Sequence, residues 1–342
     1  MAGSTQSSVA VVKEKNMHAA SGRTMAVIVA VISVCAPIAG LAQNYPSKPV
    51  RWIVPFTPGG GTDLISRTIT QKLTEAWGVS VVAENRPGAG GTVGLEAAVR
   101  APADGYTIVL GQASNIAVAP GLYPKLPYDP ARDVQPVTQV IAAPIVIISH
   151  PSLPARSLKE LIATAKARPD AITFGSPGNG TMGQLSIEML KTDAKISMLH
   201  VPYSGAARAI TSLIGGEIAI YGSSTPPAVP LIKAGKLKAL GVTSSKRIAP
   251  LPEVPTVAEG GLPGYEALNW YGVFLPANTP KDIVTKVHND VVQALKLKDV
   301  QDRFAGEGGD IVGNAPEDFG AFIRKEIPKW ARVIKAAGVK VD

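Results

Sequence analysis

A glycine-rich turn near the beginning of the chain has the residue types of an anion-binding site. Residues 52–63 read WIVPFTPGGGTD, in which a short apolar run is followed by prolines and by three consecutive glycines. Thr62 and Asp63 then open an amphipathic pattern, so the order predicts a strand, a glycine loop and a helix that begins near Thr62. The first N–H groups of a helix lack partners within it and carry the positive end of its dipole, so they can hold a carboxylate or a phosphate.

Two details of this turn limit its chemistry. Its glycines are followed by Thr62 and Asp63 rather than by the Lys-Ser/Thr of a P-loop, so we expect it to hold a small anion without hydrolysing a nucleotide. Asp63 has two alternative roles. It is either an acid of the first helical turn, which the helix dipole favours, or an acceptor for an amine or hydroxyl of a ligand.

Three later turns share this organisation. They lie at 85–94, 175–185 and 200–207, and each is rich in glycine or hydroxyl residues before a predicted helix. Taken singly, each is explained by helix capping, with Thr181 among the capping candidates and Ser204 at the expected N-cap of the last helix. The first of them lacks the GxGxxG spacing of a dinucleotide-binding loop. Because open α/β sheets bind ligands at the carboxyl ends of their strands, four such turns together predict a ligand site.

The chain is poor in residues for catalysis or metal binding. Past residue 42 it has three histidines, His150, His200 and His288, and none forms a metal-ligand spacing with another histidine or an acid. There is no GxSxG nucleophile motif and no cysteine in this part of the chain. No cofactor, metal or catalytic residue is therefore predicted, although a serine hydrolase assembled from distant residues remains an alternative.

The first 42 residues have the pattern of a secretory signal peptide. Basic residues precede an apolar run at 25–34, and small residues follow, with cleavage expected after Ala42. Cys35, the only cysteine, lies in this segment and leaves a lipoprotein signal as an alternative; Met17 is an alternative start. An export signal on a chain without later cysteines predicts a periplasmic protein. The basic residues behind the net charge of +8 are scattered without interleaved aromatics, so nucleic-acid binding is not expected.

The rest of the chain alternates strand-like and helix-like segments, which predicts an α/β fold. Strands and helices alternate over 50–112, including a helix near 62–77, and a proline-rich loop is expected at 117–136. Extended segments at 137–149 and 237–244 are predicted to cross between two lobes. Each lobe is expected to be a doubly wound, mainly parallel sheet flanked by helices. The predicted division is a signal peptide at 1–42, a discontinuous lobe 1 at 43–145 and 246–342, and lobe 2 at 146–245.

Seven motifs in this order resemble one protein family. They are PFTPGGGTD (55–63), ENRPGAGG (84–91), ADGYTIVLG (103–111), LPYDP (126–130), HVPYSGAA (200–207), KAGKLKALGVTSSKR (233–247) and LPEVPTVAEGGLPGYE (251–266). Together they resemble the periplasmic solute-binding receptors of tripartite tricarboxylate transporters, the Bug-type receptors. The resemblance extends from about Gln43 to the C-terminus.

This resemblance implies a two-lobed clam-shell of the periplasmic-binding-protein type that closes on a small organic carboxylate. It implies delivery of that ligand to a tripartite tricarboxylate-type membrane permease, no enzymatic activity, and a monomer. A sensory receptor that presents its closed form to a kinase is the alternative, and a carboxylate-processing enzyme is a weaker one. The residues expected to contact the ligand are Phe56, Gly60, Gly61, Thr62, Asp63, Ser114, Ser176, Thr181, Tyr203, Ser204 and Gly205.

The chain also departs from the family pattern at two positions. Ala219 stands where an aspartate is common, and Phe174 stands where a tyrosine is common. If either residue faces the cleft, a polar contact is missing, which would favour a less polar ligand tail. The sequence does not name the carboxylate.

Overall fold

The computed structural model describes residues 45–306 and 308–341. The chain divides into two compact units, Met1–Ser47 and Lys48–Asp342. The predicted signal peptide at 1–42 lies outside the described residues. Every described strand and helix belongs to the second unit, and no described helix has the length and apolarity needed to cross a bilayer.

Strands and helices alternate along the second unit, as the sequence predicts for an α/β fold. The strands are β1 (Val50–Val54), β2 (Val81–Asn85), β3 (Thr107–Gln112), β4 (Val134–Ser149), β5 (Thr173–Ser176), β6 (Leu199–Pro202), β7 (Ile220–Ser224), β8 (Lys238–Val242), β9 (Leu268–Pro276) and β10 (Asp310–Ile311). The helices are α1 (Gly61–Trp77), α2 (Thr92–Val99), α3 (Ala119–Leu122), α4 (Leu158–Ala167), α5 (Met182–Ala194), α6 (Ala206–Ile214), α7 (Thr225–Lys233), α8 (Lys281–Leu295), α9 (Lys298–Ala305) and α10 (Pro316–Ala337). A short 3₁₀ turn at Ala89–Gly91 and a π-helical turn at Ser114–Val118 complete them.

The strands form one mixed sheet in the order β2-β1-β3-β9-β4-β7-β5-β6. At one end β2, β1 and β3 are parallel, and at the other end β7, β5 and β6 are parallel. Between them β9 and β4 run antiparallel to their neighbours. The predicted parallel arrangement therefore holds within each end set, and two long antiparallel strands join the sets.

β4 changes partners part of the way along its length. Up to Pro144 it pairs with β9, and from Ile145 onward it pairs with β7 and β8. The fully buried Thr243, just after β8, accepts a hydrogen bond from Ile145 N–H (2.8 Å) and donates one to the carbonyl of Ala267 (2.6 Å). Three chain segments are thus tied together at the point where β4 changes partners.

The predicted loop at 117–136 is only partly a loop. Its first residues belong to the π-helical turn Ser114–Val118 and to α3, and an irregular segment follows up to β4. Pro120 does not break α3 because it occupies the first turn, where a helical N–H needs no partner within the helix. The expectation of a loop is wrong at α3, because a proline disrupts a helix only beyond its first turn.

Candidate functional site

The glycine-rich turn leads from β1 to an open helix N-terminus. Gly60 is the N-cap of α1 with an extended backbone (φ −86°, ψ 174°), and no side chain caps the helix. Leu64 is the first residue whose N–H reaches a helical carbonyl, that of Gly60 at 3.0 Å. Among the described residues, the N–H groups of Gly61 and Thr62 meet no acceptor, and the segment 57–60 is exposed. The start of α1 therefore leaves backbone donors without partners next to an exposed turn, as the sequence predicts.

The carboxylate of Asp63 stabilises the glycine-rich turn through hydrogen bonds. It accepts hydrogen bonds from Gly59 N–H, from Arg67 Nε and from Asn85 Nδ2, each at 3.0 Å. Burial alone would raise the pKa of Asp63, but the hydrogen bonds from Arg67, Gly59 and Asn85 hold that pKa below its ordinary value. Asp63 therefore has the structural role in the first helical turn, and direct contact with a ligand stays a prediction.

A chain of polar side chains links the turns that follow β1, β2 and β3. Thr62 Oγ1 donates to Gln112 Oε1 (2.9 Å), and Gln112 Nε2 donates to Ser114 Oγ (3.0 Å). Ser114 then donates to the carbonyl of Gly90 (3.4 Å). Phe56 is attached to the same group because its carbonyl accepts from Asn85 Nδ2 at 3.0 Å. The structure thus brings the predicted site residues of this end of the sheet together.

Gln112 and Asn85 were missed by sequence reasoning, although both carry a detectable signal. Each is the polar last residue of its strand. A polar side chain at the carboxyl end of a parallel strand lies where α/β sheets bind ligands. Asn115 belongs to the same group, since it is fully buried and accepts from Gln112 N–H at 2.9 Å.

The second polar group lies at the carboxyl ends of β5 and β6. Ser176 is completely buried, and its hydroxyl contacts His200 Nε2 (2.7 Å) as well as the N–H (3.2 Å) and carbonyl (3.1 Å) of Gly178. Thr181 caps α5, as expected, by accepting from Gln184 N–H, and it donates to the carbonyl of Gly178 at 2.8 Å. Both predicted ligand residues are engaged in holding the 176–181 turn, so any effect of Ser176 on a ligand must pass through that turn.

His200 is held behind this turn in its neutral form. Burial, followed by the positive charge of Lys191, lowers the pKa of His200 to about 4. Its ring stacks on Phe174 with the centroids 4.7 Å apart. Phe174 is fully buried and therefore belongs to the core, which answers one of the two questions left by the sequence. Ala219 is half-buried and packs against the same core.

The turn at 203–205 ends in a second helix N-terminus that no side chain caps. Its N-cap is Gly205 (φ 118°, ψ 164°) and not Ser204, so the predicted cap was wrong. The reason is conformational: this backbone region is almost confined to glycine, while the exposed Ser204 Oγ accepts from Arg208 at 3.3 Å. Tyr203 N–H donates to the carbonyl of Ser176 (3.0 Å), which joins this turn to the 176–181 turn.

The two polar groups approach each other through apolar packing. A Cβ atom added to Gly180 would lie 2.2 Å from Leu122 Cδ2, so the 176–181 turn rests against the end of α3. Between residues 45 and 306 and over 308–341, no hydrogen bond joins the turns of one group directly to those of the other. The described residues also contain no cluster of His, Cys, Asp and Glu suited to a metal ion.

Comparison with known proteins shows the family to which the chain belongs. Residues 65–339 match the family model described as "Tripartite tricarboxylate transporter family receptor". Protein BugT of Bordetella pertussis is 37% identical over 325 residues, which cover 93% of this chain and 98% of BugT.

Two solved structures are similar along almost the whole second unit. Rpa4515 of R. palustris, solved with adipate, has a TM-score of 0.79 and 35% identity over 87% of this chain and 99% of that one. MatC (Rpa3494) from Rhodopseudomonas palustris, solved with bound malate, has a TM-score of 0.75 and 32% identity over 85% of this chain and 100% of that one. The chain therefore belongs to the tripartite tricarboxylate transporter receptor family, a family of solute-binding receptors with a periplasmic-binding-protein fold.

Proposed function

We propose that this protein is a periplasmic receptor that captures a small organic dicarboxylate and delivers it to a tripartite tricarboxylate-type permease. The observation that carries the proposal is the pair of helix N-termini of α1 and α6, which start at accessible glycine N-caps without any capping side chain, whereas the uncapped glycine before α2, Gly91, is buried. They follow parallel strands from opposite ends of the sheet. The adipate and malate bound in the two similar structures point to the same ligand class.

The two helix N-termini create a positive electrostatic potential that can hold an anionic ligand without a buried cationic side chain. An anion at a helix N-terminus is stabilised by about 0.3–1 kcal/mol through the dipole, and by up to about 2 kcal/mol where the site is partly buried. Each hydrogen bond from a backbone N–H to a carboxylate adds roughly 1.5–3 kcal/mol. Two such helix ends suit a molecule with a carboxylate at one or both ends. Ligand contacts near Gly61, Thr62 and Gly205 follow from this arrangement.

Closure requires two lobes that move about a hinge. We assign 43–145 and 246–342 to lobe 1 and 146–245 to lobe 2, with 1–42 removed on export. The change of partner in β4 at Pro144–Ile145 supports this division, and so do the hydrogen bonds of Thr243 to the other two connecting segments. A few residues at the ends of strands are typical of a hinge.

Among the described residues, the Ser176–His200 contact is the feature that favours an enzyme, and its details speak against catalysis. Ser176 Oγ is buried and donates to the carbonyl of Gly178, whereas a nucleophile would be open to substrate and donate to the histidine. His200 Nδ1 faces Gln184 Nε2 at 3.2 Å rather than a carboxylate. We therefore infer a binding role for this chain.

A thermal-shift screen of the protein purified after export tests the proposal. Adipate, malate and citrate are compared with adipamide, which has the shape of adipate without its charges. At a hundred times Kd, a ligand of the folded protein adds about 2.7 kcal/mol to the free energy of unfolding. Stabilisation by at least one of the acids and none by adipamide is expected. Equal stabilisation by adipamide would contradict an anion site.

A further inference from the structure

A directed chain of hydrogen bonds lies behind the 176–181 turn and passes through His200. Gly180 N–H donates to Gln184 Oε1 at 2.7 Å, and Gln184 Nε2 lies 3.2 Å from His200 Nδ1. On the other side of the ring, His200 Nε2 lies 2.7 Å from Ser176 Oγ. The imidazole therefore connects α5 to the end of β5.

These hydrogen bonds are compatible with only one tautomer of the His200 ring. A backbone N–H can only donate, so Gly180 fixes the carbonyl end of the Gln184 amide and turns its NH₂ toward the ring. That NH₂ is also only a donor, so Nδ1 must be unprotonated. The ring proton of the neutral His200 is then on Nε2 and is donated to Ser176.

Ser176 connects the His200 ring to the 176–181 turn by hydrogen bonds. Its oxygen accepts from His200 and from Gly178 N–H, and its proton goes to the carbonyl of Gly178. A hydroxyl has one donor and two acceptor positions, so all of its capacity is used. Tyr203 N–H bonds the carbonyl of Ser176, which extends the constraint to the turn before α6.

We propose that His200 is a positioning residue: its neutral, Nε2-protonated ring holds the 176–181 turn in the form that binds the ligand, and a proton gained at Nδ1 releases that turn. The inference rests on the proposed function. It goes beyond it by assigning a proton-dependent control of ligand affinity to a residue that need not touch the ligand.

The surroundings of the ring explain why one proton has this effect. A second N–H at Nδ1 would point at Gln184 NH₂, and reversing that amide would break the bond from Gly180 N–H. Among the described residues, the charged group that acts on the ring is Lys191 of α5, which opposes protonation and pairs with Glu188 at 2.8 Å. Phe174 covers a face of the ring and offers no charge. The pKa of about 4 places the release in acidic conditions.

The binding test compares wild type with His200→Gln, using adipate and malate as probes in titration calorimetry between pH 7 and pH 3. Glutamine can keep a donor toward Ser176 but does not titrate. We expect roughly fivefold weaker binding than wild type at pH 7, from one altered hydrogen bond. Below pH 5 the wild type should lose affinity relative to the variant by about twofold at pH 4 and about tenfold at pH 3. At each pH the ligand has the same protonation state in both titrations, so the ratio of the two affinities reports the protonation of His200 alone.

His150→Gln is the matched control, because His150 lies on a loop after β4 and its Nδ1 contacts Ser152 Oγ at 2.6 Å. It should follow the wild-type pH dependence. Far-UV circular dichroism at each pH verifies that the proteins are folded. An unchanged ratio of wild-type to His200→Gln affinity across the range would overturn the inference.

Nitrogen NMR of the wild type gives a second readout that needs no variant. The neutral ring should carry its proton on Nε2, and saturating adipate should lower the midpoint of its titration, because binding and protonation are linked. A proton on Nδ1, or a midpoint unmoved by a probe that binds, would refute the positioning role. Absence of binding by either acid at pH 7 would instead contradict the proposed function. In that case the position of the ring proton still tests the predicted Nε2-protonated form of His200.

Discussion

Replacing Gly60 by serine should stabilise α1 and weaken ligand binding at the same time. Gly60 has φ −86° and ψ 174°, close to the φ −77° and ψ 154° of Thr181, whose hydroxyl caps α5. A Cβ atom at Gly60 would meet only the carbonyl oxygen of Thr57, at 3.9 Å. Serine therefore fits without strain, and its oxygen can accept one of the N–H groups that the proposed function assigns to the ligand.

The magnitude follows from the competition for that N–H. If the ligand displaces the serine hydroxyl, it must break a cap worth about 1 kcal/mol, which is roughly fivefold in Kd. If it does not, it loses a charge-assisted hydrogen bond of about 1.5–3 kcal/mol, or roughly 10- to 150-fold. Gly60→Ala is the matched control, since alanine has nearly the same volume but no oxygen. It should be less stable than Gly60→Ser by about 1 kcal/mol.

The two variants should therefore rank in opposite orders in two assays. Urea denaturation without ligand should place serine above alanine in free energy of unfolding. Calorimetric titration with adipate or malate should place alanine above serine in affinity. If affinity follows stability, or if both variants bind like the wild type, the N–H groups at the start of α1 do not hold the carboxylate.

Two further predictions concern charged groups at the turns. Asp63→Asn should lower the free energy of unfolding at pH 7 by about 1–3 kcal/mol, because the asparagine NH₂ would face groups that are themselves donors. The pKa of Asp63 is lowered in the folded state, so the stability that Asp63 contributes is present above its ordinary pKa and is lost as pH falls through the lowered pKa. Urea denaturation at a series of pH values should show this acid-side loss in the wild type and not in the variant. Arg208, bonded to Ser204 and without a carboxylate partner in the described chain, lines an open surface pocket of about 450 Å³ beside the start of α6. Arg208→Ala should weaken adipate binding by up to about fivefold, whereas Arg247→Ala, which removes an ion pair with Glu259, should not.

Much of the fold is readable from the sequence because glycine and proline mark the ends of its elements. The helix expected near 62–77 is observed at Gly61–Trp77. The turn that precedes it also shows the uncapped N-terminus that its glycines indicate. The proline-rich segment at 117–136 shows the limit of this reasoning, because a proline in the first turn of a helix is compatible with that helix.

What the sequence could not provide are contacts between residues distant along the chain. Gln184 and His200 meet only because α5 packs against β7 and β5, the neighbours of β6 in the sheet, and no spacing along the chain indicates such a pair. The same holds for Thr62 and Gln112, whose bond requires β1 and β3 to be neighbours in the sheet. Sequence patterns located the turns correctly, and only the folded structure shows which side chains hold them.

The start of α1 differs from the starts of α4 and α5, which each have a capping side chain. Ser157 and Thr181 have extended N-cap backbones, and each side chain accepts the N–H of the third helical residue. Gly60 has the same kind of backbone but no oxygen, although a serine would fit and would stabilise the helix. Under the proposed function, a hydroxyl there would occupy the donor that a carboxylate needs, so glycine lowers the stability of the helix but leaves that donor free. Gly60 follows the carboxyl end of β1, a parallel strand, where an external anion can supply the missing acceptor.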